Sequence, residues 1–172
     1  MKQMEREMTM EAVVGAARGG GLADGLVKGV QKIFGGLTAL GPVVDLGVRL
    51  WVANVFFTSG LTKIATWSST IALFENEYAV PLLPPELAAY LGTAAELGLP
   101  VFLVLGLGTR FAAFALLLFN IIAAISYPDL SPEGLKDHQV WGLLLLVTLF
   151  HGPGKLSLDH FIGRKFFNQG AR

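Results

Sequence analysis

The chain has 172 residues, of which 53% are hydrophobic, only 15% are charged and none is cysteine, and its formal net charge is zero. Ordinary soluble domains carry about 25% charged residues, so this composition suits lipid better than water. Its basic residues are scattered rather than gathered on one face, which gives no signal for nucleic acid as a partner. Without cysteine it has no disulfide, CxxC redox or thiolate-held iron–sulfur chemistry of its own.

Residues 1–41 read as a glycine-rich tail. Met1–Glu11 alternates charge and sulfur in place of the basic start and apolar run of a signal peptide, so the tail is expected to be retained. The run GAARGGG at Gly15–Gly21 ends any helix begun at Met10–Ala17. From there Leu22, Leu26, Val30, Ile33, Phe34 and Leu37 share one helical face, away from Lys28, Gln31 and Lys32. That pattern predicts an interfacial amphipathic helix on lipid headgroups; a solvated linker is the alternative, given the glycines in and beside it.

A first span is expected over about 43–64, with Pro42 in its first turn. It is unusually polar. Arg49, Phe56 and Lys63 are seven apart and share a face while Asn54 occupies another, which suits a helix surrounded by protein on more than one side. Arg49 has two candidate partners: Asp45 one turn earlier, or Glu96 across the membrane interior. Between Ala65 and Glu86, Ser68 or Ser69 can cap a short helix with Ile71, Leu73 and Phe74 inward, and Trp67 and Tyr78 suit headgroup depth. This segment is expected to lie on the membrane as a lid. Pro81, Pro84 and Pro85 then force an extended approach, with Pro85 opening the next helix.

An apolar hairpin follows, with spans over about 87–106 and 110–127, each near the about 20 residues that cross a bilayer. Glu96 stands in the middle of its first arm. Pro100, four residues on, deprives the Glu96 carbonyl of its helical partner. Neither acid nor carbonyl can be satisfied by hydrocarbon, so Glu96 is expected to face the bundle interior or a wet cavity. A fourth span over about 137–151 is bracketed by His138 and His151 and closed by Gly152-Pro153-Gly154. Residues 155–172 then form a C-terminal juxtamembrane amphipathic helix in which Ser157 is the cap.

The reading is an all-α polytopic membrane protein. It has a four-transmembrane-helix bundle over 42–154, interfacial amphipathic helices at both ends and a short surface lid helix. Most Lys and Arg lie in the tail, the 106–110 turn and the C-terminal segment, while the 65–86 and 128–137 connections contain only Lys136, which places both termini in the cytoplasm.

Counting residues along alternating spans puts Asn54, Glu96 and Asn120 near one depth, with Arg49 and Arg110 nearer the cytoplasm. One polar cluster is expected. Glu96 and Arg49 are its candidate catalytic pair; Asn54, Lys63, Arg110, Asn120 and His138 are candidate ligand-binding residues. A quinone head needs hydrogen-bond donors and a proton carrier, both of which a carboxyl with Arg and Asn neighbours supplies. The same groups can instead simply tie helices together. No metal site is expected: His138 and His151 are thirteen residues apart, about 20 Å along a helix, so they cannot share a haem iron.

Three stretches carry a family resemblance: RLWVANVFFTSGLTKIATW at 49–67, FENEYAVPLLPPELAAYLGTAAELGLPVFLVLGLGTRFAA at 74–113 and HGPGKLSLD at 151–159. In this order and spacing they resemble the DoxX family, over nearly everything after Pro42. The resemblance implies a four-helix prokaryotic inner-membrane protein linked to membrane redox systems. The expectation is therefore a membrane subunit, facing quinone, of an oxidoreductase complex. It would work with a redox partner protein, would have the lipid bilayer as solvent, would be able to form a homo-oligomer and would bind no cofactor other than quinone. A non-catalytic scaffold and a small transporter with an intramembrane Glu96 site are the alternatives, although no inverted repeat supports transport.

Overall fold

The computed structural model describes residues 3, 4, 6, 7 and 22–166, and among these there is no strand. Six helices cover the continuous part: α1 (Leu22–Ala65), α2 (Trp67–Asn76), α3 (Pro85–Leu105), α4 (Thr109–Ser126), α5 (Pro132–His151) and α6 (Leu158–Phe166). The expected helix at Met10–Ala17, its glycine break, and the chain after Phe166 lie outside the described residues.

The chain divides into two compact units, one ending at Gly41 and the other beginning at Pro42. In the first, Leu26, Val30, Ile33, Phe34 and Leu37 are all exposed. Pro42 does not open a helix. It lies inside α1, which begins twenty residues earlier at Leu22. Proline lacks the N–H that an interior helical position uses, so α1 passes Pro42 without that hydrogen bond.

In the second unit the turns follow local chemistry. Pro84 is extended and Pro85 takes the first helical position of α3, where a missing N–H costs nothing. Gly106 ends α3 in the left-handed region (φ 66°) and Gly108 precedes α4 in the same region (φ 56°), conformations that suit a residue without Cβ. Ser131 Oγ accepts from the Gly134 N–H to cap α5. Ser157 Oγ accepts from the His160 N–H at 3.2 Å, so Ser157 does cap the last helix. The lid helix differs: α2 begins at Trp67 after Thr66, with no side-chain cap, so Ser68 and Ser69 lie within its first turn.

Packing runs α2 on α3, α3 on α4 and α4 on α5. The core draws Val52, Ala53 and Phe56 from α1, Leu103 from α3, Ala112, Ala113 and Leu116 from α4 and Leu145 from α5. Small residues let the backbones approach: Ala88 and Gly92 are buried on α3, whereas Ala94 and Gly98 on the same helix face outward. A smaller cluster of Phe74, Ala88 and Ala89, flanked by Trp67, Ile71, Tyr78 and Val80, seats the lid helix.

Among the described residues, three helices are long and apolar enough to cross a membrane: Asp24–Ala65, Pro85–Leu105 and Thr109–Ser126. Large side chains such as Phe111, Ile125 and Phe150 are mostly exposed on the helices, an arrangement that water penalises and lipid does not. The chain is an integral membrane protein. α5 has 20 residues, but Glu133, Lys136 and Asp137 occupy its first turns and leave a shorter apolar stretch.

Candidate functional site

Glu96 is buried on α3 and meets Lys63, not Arg49. The Lys63 Nζ donates to Glu96 Oε1 at 2.8 Å and to Oε2 at 2.7 Å, and to Ser59 Oγ at 3.0 Å. Ser59 in turn donates to Glu96 Oε1 at 3.1 Å, so two α1 side chains one turn apart hold the carboxyl. The side chains are only 15% (Lys63) and 6% (Glu96) exposed, which makes this a desolvated pair that stands on its geometry. Gly60 permits it. A Cβ there would lie 2.8 Å from Leu97 Cγ and 3.1 Å from Glu96 Cβ, so only glycine lets α1 come this close to α3. Thr70 Oγ donates to the Lys63 carbonyl at 3.0 Å, fastening the lid helix to the end of α1.

Above the pair is a cavity of about 370 Å³ whose wall includes Lys63, Glu96, Phe74, Tyr78, Leu91, Phe119 and Ser126. Apart from these few polar groups it is apolar, the usual make-up of a small-molecule site. Gly92 and Ala95 on α3 and Ala115 and Ala123 on α4 leave the space open. Its roof follows the lid helix. Ala79 N–H donates to the Ser126 carbonyl at 2.7 Å, Tyr127 O–H donates to Glu77 Oε2 at 3.0 Å, and the Tyr78 ring stacks on Phe74 at 4.8 Å. Burial, then the charges of Glu96, Tyr127 and Glu77, push the Tyr78 hydroxyl above its ordinary pKa, so it stays a hydrogen-bond donor.

The other expected members do not join this cluster. Asn120 pairs with His138 instead: its Nδ2 donates to the His138 carbonyl at 2.9 Å, and its Oδ1 lies 2.8 Å from His138 Nδ1. This two-point clasp joins α4 to α5, with the imidazole edge-on to Trp141 at 4.9 Å. Asn54 is exposed and borders a different groove, between α1 and α3. Arg110 is exposed at the start of α4, beside Gly152.

Arg49 is buried at the opposite end of the bundle and finds neither of its expected carboxylate partners. Its Nη1 donates to the Leu103 carbonyl at 3.1 Å and its Nη2 to the Leu156 carbonyl, satisfying the free end of α3 and the loop before α6. Asp45 is engaged by His151 (Oδ1 to Nδ1, 3.1 Å). Gly106 lies against Arg49, and a Cβ there would fall 2.4 Å from its Nη1. Asp159 completes this end, accepting from the Gly108 N–H at 2.8 Å and from the Thr109 N–H and hydroxyl at 2.9 Å. Burial pushes the Asp159 carboxyl up, but the N–H groups of Thr109 and Gly108, the Thr109 hydroxyl and the Arg49 charge outweigh it and hold the pKa below the ordinary value.

The DoxX family profile matches residues 44–128. An uncharacterized protein of Haemophilus influenzae is 30% identical over 128 residues, covering 69% of this chain and 83% of the relative. The chain belongs to the DoxX family. No solved structure matches it. The DoxX match includes Arg49, Asn54, Lys63, Glu96, Arg110 and Asn120, and stops short of His138 and Asp159.

Three residues of this DoxX chain acquire roles that the sequence reading did not give them: Ser59, Tyr78 and Asp159. Ser59 had a usable signal, since it precedes Lys63 by one helical turn and so shares its face. Asp159 had one too, two residues after the capping Ser157 in HGPGKLSLD. Tyr78 had none beyond its ring type, because its contact with the cavity depends on how the chain folds back after α2.

Proposed function

We propose that this DoxX-family chain is the quinone-facing membrane subunit of an oxidoreductase complex, and that the quinone head enters the cavity above Lys63 and Glu96. The observation that carries the reading is a largely buried ammonium–carboxylate pair forming one wall of an otherwise apolar space of about 370 Å³. Lys63 can donate to a carbonyl oxygen of the ring while Glu96 gives or takes the proton that accompanies each electron. Tyr78 offers a second donor. The apolar walls suit the ring faces and the start of a prenyl tail. Reduction to the quinol needs two electrons and two protons. The electrons come from a partner protein that holds the redox carrier, since this chain has no cysteine with which to do so.

The reading includes four spans, with α5 as the fourth, in the inner membrane and with both termini in the cytoplasm. The charge distribution supports it, as the two connections assigned to the outside hold only Lys136. The lid helix then lies at the outer surface, over the cavity.

Binding of a short-tail ubiquinone and a short-tail menaquinone to the whole chain in lipid nanodiscs tests the site. The unaltered chain should bind one of them at one per cavity. Gly92→Val, which grows into the space between Phe74 and Phe119, should weaken binding at least about tenfold. Glu96→Gln, which keeps the shape but cannot exchange a proton, should leave the quinone bound and slow its reduction to quinol when added dithionite supplies the two electrons. Unchanged binding by a folded Gly92→Val protein would overturn the proposal.

A further inference from the structure

The outward face of α1 carries a pattern that the cavity does not use. Gly47, Leu50, Asn54, Phe57, Leu61 and Ile64 follow one another at alternating spacings of three and four, and all are exposed. A spacing that averages 3.5 is the seam of two helices wound around each other, not the 3.6 of a helix lying alone. In the sequence the same alternation continues back through Val43, Leu40, Gly36, Ile33 and Gly29 to Leu26. α1 also contains Lys28, Gln31, Lys32, Asp45, Arg49 and Lys63, yet Asn54 is the sole polar member of the series.

Exposed apolar side chains need no explanation in a bilayer, but an exposed amide does. Hydrocarbon offers Asn54 no hydrogen bond. Beside it, Leu50, Ala53, Phe57, Pro100 and Val104 border a groove of about 450 Å³. The face therefore combines a register, a recess and one group that needs a partner.

We propose that a second copy of this chain covers this face, α1 against α1, with the two Asn54 amides bonded to each other. A closed pair of copies inserted in the same orientation is related by a two-fold axis normal to the membrane, so each seam residue meets its own counterpart at the same depth. The residue that satisfies the seam must then be complementary to itself. An amide is, because it donates through nitrogen and accepts through oxygen, whereas an ammonium or a carboxylate repels its copy. One such residue in an apolar seam also fixes register. Gly47, with nothing within 4 Å of where its Cβ would be, admits close backbone approach one end of the seam away.

The chain without cysteine makes the test direct. The whole protein is reconstituted in phosphatidylcholine vesicles at graded protein-to-lipid ratios, carrying Leu50→Cys, Phe57→Cys or Leu61→Cys, with Phe111→Cys and Ile121→Cys on exposed positions of α4 as comparisons. Mild oxidation should give covalent dimers from the three α1 positions and none above background from α4. Asn54→Leu should weaken dimerisation about 3- to 15-fold, as loss of a hydrogen bond between membrane helices does. It should leave the melting temperature of the isolated monomer in detergent unmoved. A chain that stays monomeric at every ratio, crosslinks that form equally from α4, or an Asn54→Leu protein that dimerises undiminished would overturn the proposal. So would Leu50→Cys in native membranes crosslinking to a protein of different mass instead of to itself.

Discussion

Arg49 is a buried cation of α1 and Lys63 a largely buried one, fourteen residues and about 21 Å apart, and the bundle treats them in opposite ways. Arg49 is spent on backbone carbonyls, with Gly106 and Ser157 packed around it. Lys63 faces a carboxylate, and the pair opens onto a cavity. An arginine on carbonyls holds three segments in place and has no proton to exchange. A lysine on a carboxylate is two titratable groups in one hydrogen-bonded unit, beside room for a ligand. The difference separates a fastening from a reactive site, although both are polar groups in an apolar bundle.

Substitutions at the two ends should therefore differ in kind. The largest effect on stability is expected from Lys63→Met, which leaves Glu96 buried without its cation; breaking a buried pair costs about 3 kcal/mol or more. Thermal unfolding in detergent measures it, and Glu96→Gln should cost less because Ser59 still bonds the amide. A Lys63→Met protein as stable as the parent would mean that the pair does not hold α1 to α3. Next comes Arg49→Lys, expected to cost about 2 kcal/mol, because an ammonium cannot span the Leu103 and Leu156 carbonyls as the planar guanidinium does. Quinone affinity should be unmoved by it, and a loss of affinity without a loss of stability would erase the contrast between the ends.

The smallest effect is expected at Asp159 and depends on pH. Its folded pKa lies below the ordinary aspartate value of about 3.9, so its contribution is complete above that value and is lost as pH falls through the lowered one. Asp159→Asn should flatten the part of the acid unfolding curve below about pH 4 and lower the neutral melting temperature modestly, since the carboxylate's contribution is complete there. A curve of the same slope would show that the bonds to Gly108 and Thr109 survive protonation.

Much of this was legible from residue chemistry alone. Pro85, Ser157, the glycine turn of the hairpin and the burial of Glu96 each follow from a local rule, and each is present in the fold. The partner of Glu96 was not legible, because it depends on how far one helix slides along another. Starting α1 at Pro42 placed Asn54 level with Glu96, whereas the close contact of Gly60 with Glu96 and Leu97 sets residue 60 at that level. The slip is six residues, about 9 Å of rise, and it exchanges Arg49 for Lys63 as the cation within reach. Gly60 was the clue. A glycine one turn before a lysine in a membrane helix marks where another backbone comes near, and so which acid that lysine can meet.

The Arg49 contact also has a consequence in time. Its two acceptors follow it in the chain by 54 and 107 residues. At ribosomal rates of about 5–20 residues per second, the Leu156 carbonyl is synthesised about 5–20 s after the arginine. During that interval the guanidinium is committed to a helix whose last fastener does not yet exist. Nascent chains arrested before Leu156 should hold Arg49 with the Leu103 carbonyl as an acceptor and without the second one.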